Sequence, residues 1–126
     1  MIIGVGIDII EVERVAEKIS KDNGFREKVF SKSEIDFCEE KGATKAQHYA
    51  ARFSAKEAFL KATGMGMLLS NELNEIEVIV NGEGKPNINL TGKLSLLTKE
   101  RKWSIHLSLS HVSSMSCAVV VIESNE

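Results

Sequence analysis

The spacing of apolar residues changes twice along this chain, and neither an all-helical nor an all-strand fold accommodates both changes. Ile2 to Ile9 is apolar and β-branched, interrupted by Gly4 and Gly6. It predicts a core strand that ends at Asp8 and lets another backbone approach closely. From Glu11 the spacing lengthens: Val12, Val15, Ala16 and Ile19 fall at i, i+3, i+4 and i+7, a helical stripe that stops near Asn23-Gly24. Val29-Phe30 precedes Ser31-Lys32-Ser33-Glu34, a capping-box pattern that predicts a short helix ending at Gly42. Thr44 with Gln47 repeats the pattern, and Ala46 to Ala62, bounded by Gly64, is rich in helix formers. An irregular stretch is expected after Gly64-Met65-Gly66-Met67.

From Ile76 onward the period is two. Ile76, Val78 and Val80 alternate with polar residues, the turn formers of Asn81 to Pro86 follow, and Asn87 to Leu90 alternates again, which predicts a hairpin. After a brief helical segment from Lys93 to Arg101, Trp103, Ile105, Leu107 and Leu109 alternate with Ser104, His106, Ser108 and Ser110. That strand has one apolar and one polar face. Ala118 to Ile122 reads as the last strand. The sum is an α+β chain whose helices pack on an antiparallel sheet pairing the first strand with the later ones. With 126 residues, 43% of them hydrophobic, the material suffices for one ordinary core, so residues 1–126 are read as a single domain. A large active site must then lie on the surface or between copies.

A formal net charge of -2 argues against the broad basic footprint of a nucleic-acid binder. No apolar run approaches the roughly 20 residues that span a bilayer, and the N-terminus reads as a strand and not as a secretion signal. The expected location is the cytoplasm. Cys38 and Cys117 belong to no CxxC or Cys/His cluster, so they are read as buried or idle thiols and a zinc site is not expected.

Three places hold polar residues that a plain core would not need. Gly4-x-Gly6-x-Asp8 lacks the third glycine of a dinucleotide fingerprint. Its aspartate is either the N-cap of the next helix, the commoner case, or a carboxylate aimed into a site. In Arg52-Phe53-Ser54-Ala55-Lys56-Glu57-Ala58-Phe59-Leu60-Lys61, the residues Phe53, Glu57 and Lys61 share one helix face. They are either a surface ion pair beside a core aromatic, or a carboxylate for a hard cation with a lysine for a phosphate. Magnesium is held by one or two carboxylates plus substrate phosphates, and Asp8 with Glu57 would supply that pair. Ser108-Leu109-Ser110-His111 is not a hydrolase pair, because neighbours on a strand point to opposite faces and no G-x-S-x-G elbow surrounds them. His111 is either a phosphate partner or a structural histidine.

Taken together these blocks resemble the holo-acyl carrier protein synthase family of 4'-phosphopantetheinyl transferases. The likeness rests on Gly4-Val5-Gly6-Ile7-Asp8 with Arg14, Phe30 to Glu34, Arg52 to Ala58 with Lys61 and Gly64, Gly84-Lys85-Pro86, and Leu107 to His111, in that order. Phe53 stands where longer family members often carry tryptophan. The resemblance implies a transferase-like α+β fold assembled as a homotrimer with sites between subunits. It also implies coenzyme A as donor, a carrier-protein serine as acceptor, adenosine 3',5'-bisphosphate as product, magnesium as cofactor and a place in fatty acid biosynthesis. By the family pattern Asp8 and Glu57 bind the metal. Lys61 and His111 face the coenzyme's phosphates, and Arg52, Gly64, Lys85 and Pro86 lie toward the coenzyme. Catalysis would fall to Glu57, Lys61 and Asp8, with Glu57 the candidate base, directly or through a metal-bound water. Arg14, Lys18, Lys21, Arg26 and Lys28 form a basic strip expected to steer an acidic carrier protein.

Overall fold

The computed structural model describes residues 1–66 and 72–125, so most of the stretch expected to be irregular, Met67 to Asn71, lies outside the described residues. Three long strands, β1 (Ile2–Glu11), β4 (Trp103–His111) and β5 (Met115–Ser124), form an antiparallel sheet in the order β1-β5-β4. The hairpin of β2 (Ile76–Val80) and β3 (Pro86–Leu90) forms a separate two-stranded sheet. Helices α1 (Val12–Ser20), α2 (Phe25–Val29), α3 (Lys32–Glu39) and α4 (Lys45–Thr63) come early, and α5 (Ser95–Arg101) precedes β4. The expected α+β arrangement is therefore present.

One core cluster joins Ala55, Ala58, Phe59 and Ala62 of α4 to Ala118, Val120 and Ile122 of β5, with Ile76, Val78 and Leu90 of the hairpin. Alanines on the sheet-facing side of α4 let the helix sit close. Gly4 and Gly6 bring it closer still: a Cβ on Gly6 would overlap the Ala58 carbonyl oxygen and lie 2.7 Å from the Ala62 amide nitrogen. A second cluster packs Val12 and Val15 of α1 against Val29, Phe30, Cys38, Tyr49 and Ala50.

The capping box of α3 is formed as expected, with Ser31 accepting from the Glu34 amide and Glu34 accepting from the Ser31 amide. The one at Thr44 is not, because that hydroxyl donates to the Lys41 carbonyl instead. α2 carries no cap signature in the sequence: it starts at Gly24 in the left-handed region and lasts one turn. β1 does not stop at Asp8, since β5 supplies partners through Glu11, with Asp8 opposite Ala118 and Ile10 opposite Ser116. The outer face of the sheet is bare. Ile3, Val5, Ile7 and Ile9 are all exposed, and Val5, Ile7 and Ile9 stand in register with Val121, Val119 and Cys117.

Candidate active site

Asp8 sits within β1 and faces α4, one residue pair beyond the glycine contact. It does not cap α1, whose N-cap is Glu11. The close approach sets Asp8 against two residues one helical turn apart on α4. Lys61 Nζ lies 3.3 Å from Asp8 Oδ1 and donates to the Ile7 carbonyl at 3.0 Å. The surface ion pair between Glu57 and Lys61 is thus replaced by one across elements. Asp8 and Glu57 line a common cleft of about 440 Å³ with Arg14, Lys18, Phe53 and Met115. Burial pushes the Glu57 carboxyl above its ordinary value, the negative charge of Asp8 adds to this, and Lys61 and Lys18 oppose it.

Two carboxylates that repel each other in a half-buried cleft leave a place for positive charge. Among the described residues no group of three or more His, Cys, Asp or Glu side chains is arranged to hold a metal ion. That donor set does not suit zinc, which takes three or four protein ligands. It fits a hard divalent cation that draws its remaining oxygens from phosphate and water.

Arg52 lies on another side of α4. It stands five positions before Glu57, which is about 140° around the helix axis. Arg52 is only 3% exposed, yet its Nε atom has no partner. Its Nη1 donates weakly to the His48 carbonyl at 3.4 Å, and its guanidinium lies 4.2 Å from the centre of the Phe37 ring. A buried cation without a carboxylate is costly. It lines a cleft of about 190 Å³ with Ser33, Phe37, Val78, Ile79 and Val80. Val80 pairs with Pro86, so the Lys85-Pro86 turn stands at the end of this cleft. Among the described residues, none lines both this cleft and that of Asp8.

His111 closes β4 and lines a small hollow with Ile9, Val112, Met115 and Cys117, which adjoins the Asp8 cleft through Ile9 and Met115. His48 is held below its ordinary value by burial first, then by the charge of Arg52. Gly64 ends α4 in the left-handed region (φ 70°), with open space where a side chain would stand. The basic strip divides. Arg14 and Lys18 face the Asp8 cleft, and Lys18 Nζ rests over Phe25 and Phe53 at 5.5 and 5.7 Å from the ring centres. Lys21 and Arg26 flank a separate depression at the α1–α2 turn, where Arg26 pairs with Glu27 at 3.0 Å and Glu39 at 3.4 Å. Lys28 is exposed on α2.

Sequence reasoning passed over one polar feature. Lys56 and Glu34 form an ion pair of 2.7 Å with both side chains fully buried. The signal was available: Lys56 precedes Phe59 and Leu60 by three and four residues, which sets a lysine on the buried face of α4.

The sequence profile of the 4'-phosphopantetheinyl transferase superfamily matches residues 4–120. The holo-[acyl-carrier-protein] synthase of Syntrophus aciditrophicus is 46% identical over 125 residues, which is 98% of this chain and 97% of that protein. The crystal structure of the Neisseria meningitidis holo-[acyl-carrier-protein] synthase is similar with a TM-score of 0.86 and 29% identity, covering 98% of this chain and 99% of that one. The Bacillus anthracis holo-(acyl-carrier-protein) synthase, solved in complex with CoA (3',5'-ADP), is similar with a TM-score of 0.82 and 33% identity over 99% of both chains. With a superfamily match over nearly its whole length and full-length relatives of one kind, this chain belongs to the holo-[acyl-carrier-protein] synthases of the 4'-phosphopantetheinyl transferase superfamily.

Proposed function

We propose that this protein transfers the 4'-phosphopantetheine arm of coenzyme A to a serine of apo acyl carrier protein, with magnesium as cofactor. The observation that carries the reading is the pair Asp8 and Glu57, drawn into one cleft with Lys61 by the glycine contact between β1 and α4. Asp8 and Glu57 would hold magnesium, which when bound supplies a charge that grips the diphosphate and stabilises the leaving group. The serine Oγ bonds to the phosphorus next to pantetheine and the bridging P–O bond breaks. Adenosine 3',5'-bisphosphate leaves with that bond's electron pair. Lys61, tied to Asp8, contributes a fixed positive charge beside the phosphate oxygens. Glu57 accepts the serine proton, directly or through a bound water.

The nucleotide end would lie in the Arg52 cleft by the Lys85-Pro86 turn, with His111 and the open end of α4 at Gly64 near the phosphates. The two clefts share no lining residue, and this separation supports a site completed by a second copy of the chain. The bare apolar stripe Ile3, Val5, Ile7 and Ile9 supports the same reading, a homotrimer with sites between subunits. Arg14 and Lys18 at the mouth of the catalytic cleft, with Lys21 and Arg26 at the separate depression by the α1–α2 turn, would receive the acidic carrier protein. No helix among the described residues is long and apolar enough to cross a membrane. The setting we propose is cytoplasmic fatty acid biosynthesis.

The test mixes the protein with coenzyme A, magnesium and apo carrier protein and follows the carrier's mass. A rise of one phosphopantetheine that disappears with the Asp8→Asn variant or on chelation is the expected result. No rise, where a known transferase succeeds in the same mixture, would remove the reading, and loss of coenzyme A without any carrier would favour a hydrolase instead.

A further inference from the structure

The charged residues buried beneath the Arg52 cleft have no part in the chemistry proposed above. We propose that the Glu34–Lys56 pair is a positioning device for that cleft, setting the spacing of its walls and so the affinity for the coenzyme's nucleotide end. This rests on the reading that the Arg52 cleft takes that end.

The pair touches each wall of the cleft. Lys56 belongs to α4, one helical turn from Arg52. Its ammonium donates to Glu34 Oε1 at 2.7 Å, to the Leu73 carbonyl at 2.9 Å and to the Ile76 carbonyl at 2.6 Å. Those contacts leave its three donors satisfied and fix the entry to β2. Glu34, in the first turn of α3, accepts from the Ser31 amide at 2.9 Å and, through Oε2, from the Val78 amide at 3.0 Å. Val78, which lines the cleft beside Arg52, is therefore pinned on its backbone by Glu34. Ser33 and Phe37, the α3 side of the cleft, follow Glu34's helix. A second clamp nearer the surface ties the same elements, with Glu77 of β2 accepting from the Ser31 and Ser33 hydroxyls and from Asn89.

An apolar pair of similar volume would still pack these elements together, at the cost of the bonds to the Val78 amide and the Leu73 and Ile76 carbonyls. What the ions add is direction. Glu34 Oε1 accepts from both the Ser31 amide and the Lys56 ammonium, Oε2 accepts from the Val78 amide, and each ammonium hydrogen has its own acceptor, so the walls meet at one spacing, whereas apolar contacts allow them to slide. A guanidinium buried without a carboxylate binds an anion well only if its surroundings cannot relax around it.

The decisive variant is the double replacement Glu34→Leu with Lys56→Met, which removes both charges together and avoids stranding one of them. Expected are a folded chain with a lowered melting temperature, because the Val78 amide and the Leu73 and Ile76 carbonyls lose their partners, a KM for coenzyme A raised about tenfold, and a matching rise in the Kd of adenosine 3',5'-bisphosphate in metal-free buffer. The KM for carrier protein and the kcat at saturating coenzyme should change less than about threefold. A stable double variant with unchanged coenzyme KM and bisphosphate Kd would overturn the proposal and leave the pair a purely structural one. Should the double variant fail to fold, Lys56→Arg serves, since it keeps the ion pair but offers a planar fork in place of a tripod. It should fold and still raise both constants, and parental values for both would equally overturn the proposal. Arg52→Ala separates the two layers: if it leaves bisphosphate binding intact, the reading of the cleft fails, and if it weakens binding while the pair variants do not, the positioning role alone fails.

Discussion

Replacing Gly6 with alanine tests whether a backbone contact assembles the catalytic pair. The added methyl would overlap the Ala58 carbonyl oxygen and stand 2.7 Å from the Ala62 nitrogen, and both obstacles are helix backbone with no side-chain freedom to yield. An unstrained contact needs about 3.5 Å, so α4 and β1 must part by roughly 0.8 Å to clear the nitrogen alone, and by more to clear the oxygen. Overpacking of this kind costs about 3 kcal/mol, at the upper end of the usual range, because the strain falls on two regular elements at once. For a chain of this size that lowers Tm by roughly 12 °C. Asp8 is on the moved strand and Glu57 on the helix, so their separation grows by the same displacement. A shift of about 1 Å in such a site reduces turnover by about 100-fold. Thermal unfolding by circular dichroism and the carrier mass assay at a temperature where the variant is folded read the two effects separately. A variant that melts within a degree or two of the parent and keeps full turnover would refute the claim that this contact brings the carboxylates together.

Charge reversal at Arg14, exposed at the mouth of the Asp8 cleft, should raise the KM for carrier protein about tenfold or more while leaving coenzyme A binding nearly unchanged, and equal losses for both substrates would refute a docking role. Cys38 is fully buried and its thiol is pushed up to about 12, chiefly by burial, so a thiol reagent at neutral pH should label it only as fast as the chain unfolds; labelling at the rate of a free thiol would contradict this. The Tyr49 hydroxyl donates to Glu39 at 2.6 Å and is the main cause holding that carboxyl below its ordinary 4.5. A depressed carboxylate contributes stability above the ordinary value and loses it as pH falls through the folded one. The stability gap between the parent and Tyr49→Phe should therefore close as the solution is acidified below 4.5, and a gap that persists would assign it to packing instead.

Local patterns were enough for the elements that carry their own signals. The alternation from Trp103 to Ser110 gave β4, the Ser31–Glu34 box gave the start of α3, and the glycine spacing gave the close approach to β1. Signals failed where a distant partner decided the outcome. The local period turns helical at Glu11, yet β1 runs that far because Met115 to Ala118 pair with it. Thr44 has the composition of a cap, but a nearby carbonyl took its hydroxyl. α2 is too short for a periodicity to register. In the site, residue types suggested which carboxylates mattered, whereas Lys61 turning from Glu57 to Asp8 depends on the tertiary approach of strand and helix. The unpaired Nε of Arg52 likewise has no counterpart in local spacing, and although spacing puts Lys56 on the buried face of α4, its partner Glu34 lies 22 residues away.

The separation of the Asp8 and Arg52 clefts on different sides of α4 has a genetic reading. Under the proposed assembly, two mutant copies expressed together, one inactivated at Asp8 and the other at Arg52, would rebuild a working centre where their intact halves meet. A single copy defective in one half would spoil only the centre to which that half belongs, while its intact half still served the neighbouring centre. Inheritance of such lesions would follow the pairing of half-sites and not the number of sound chains.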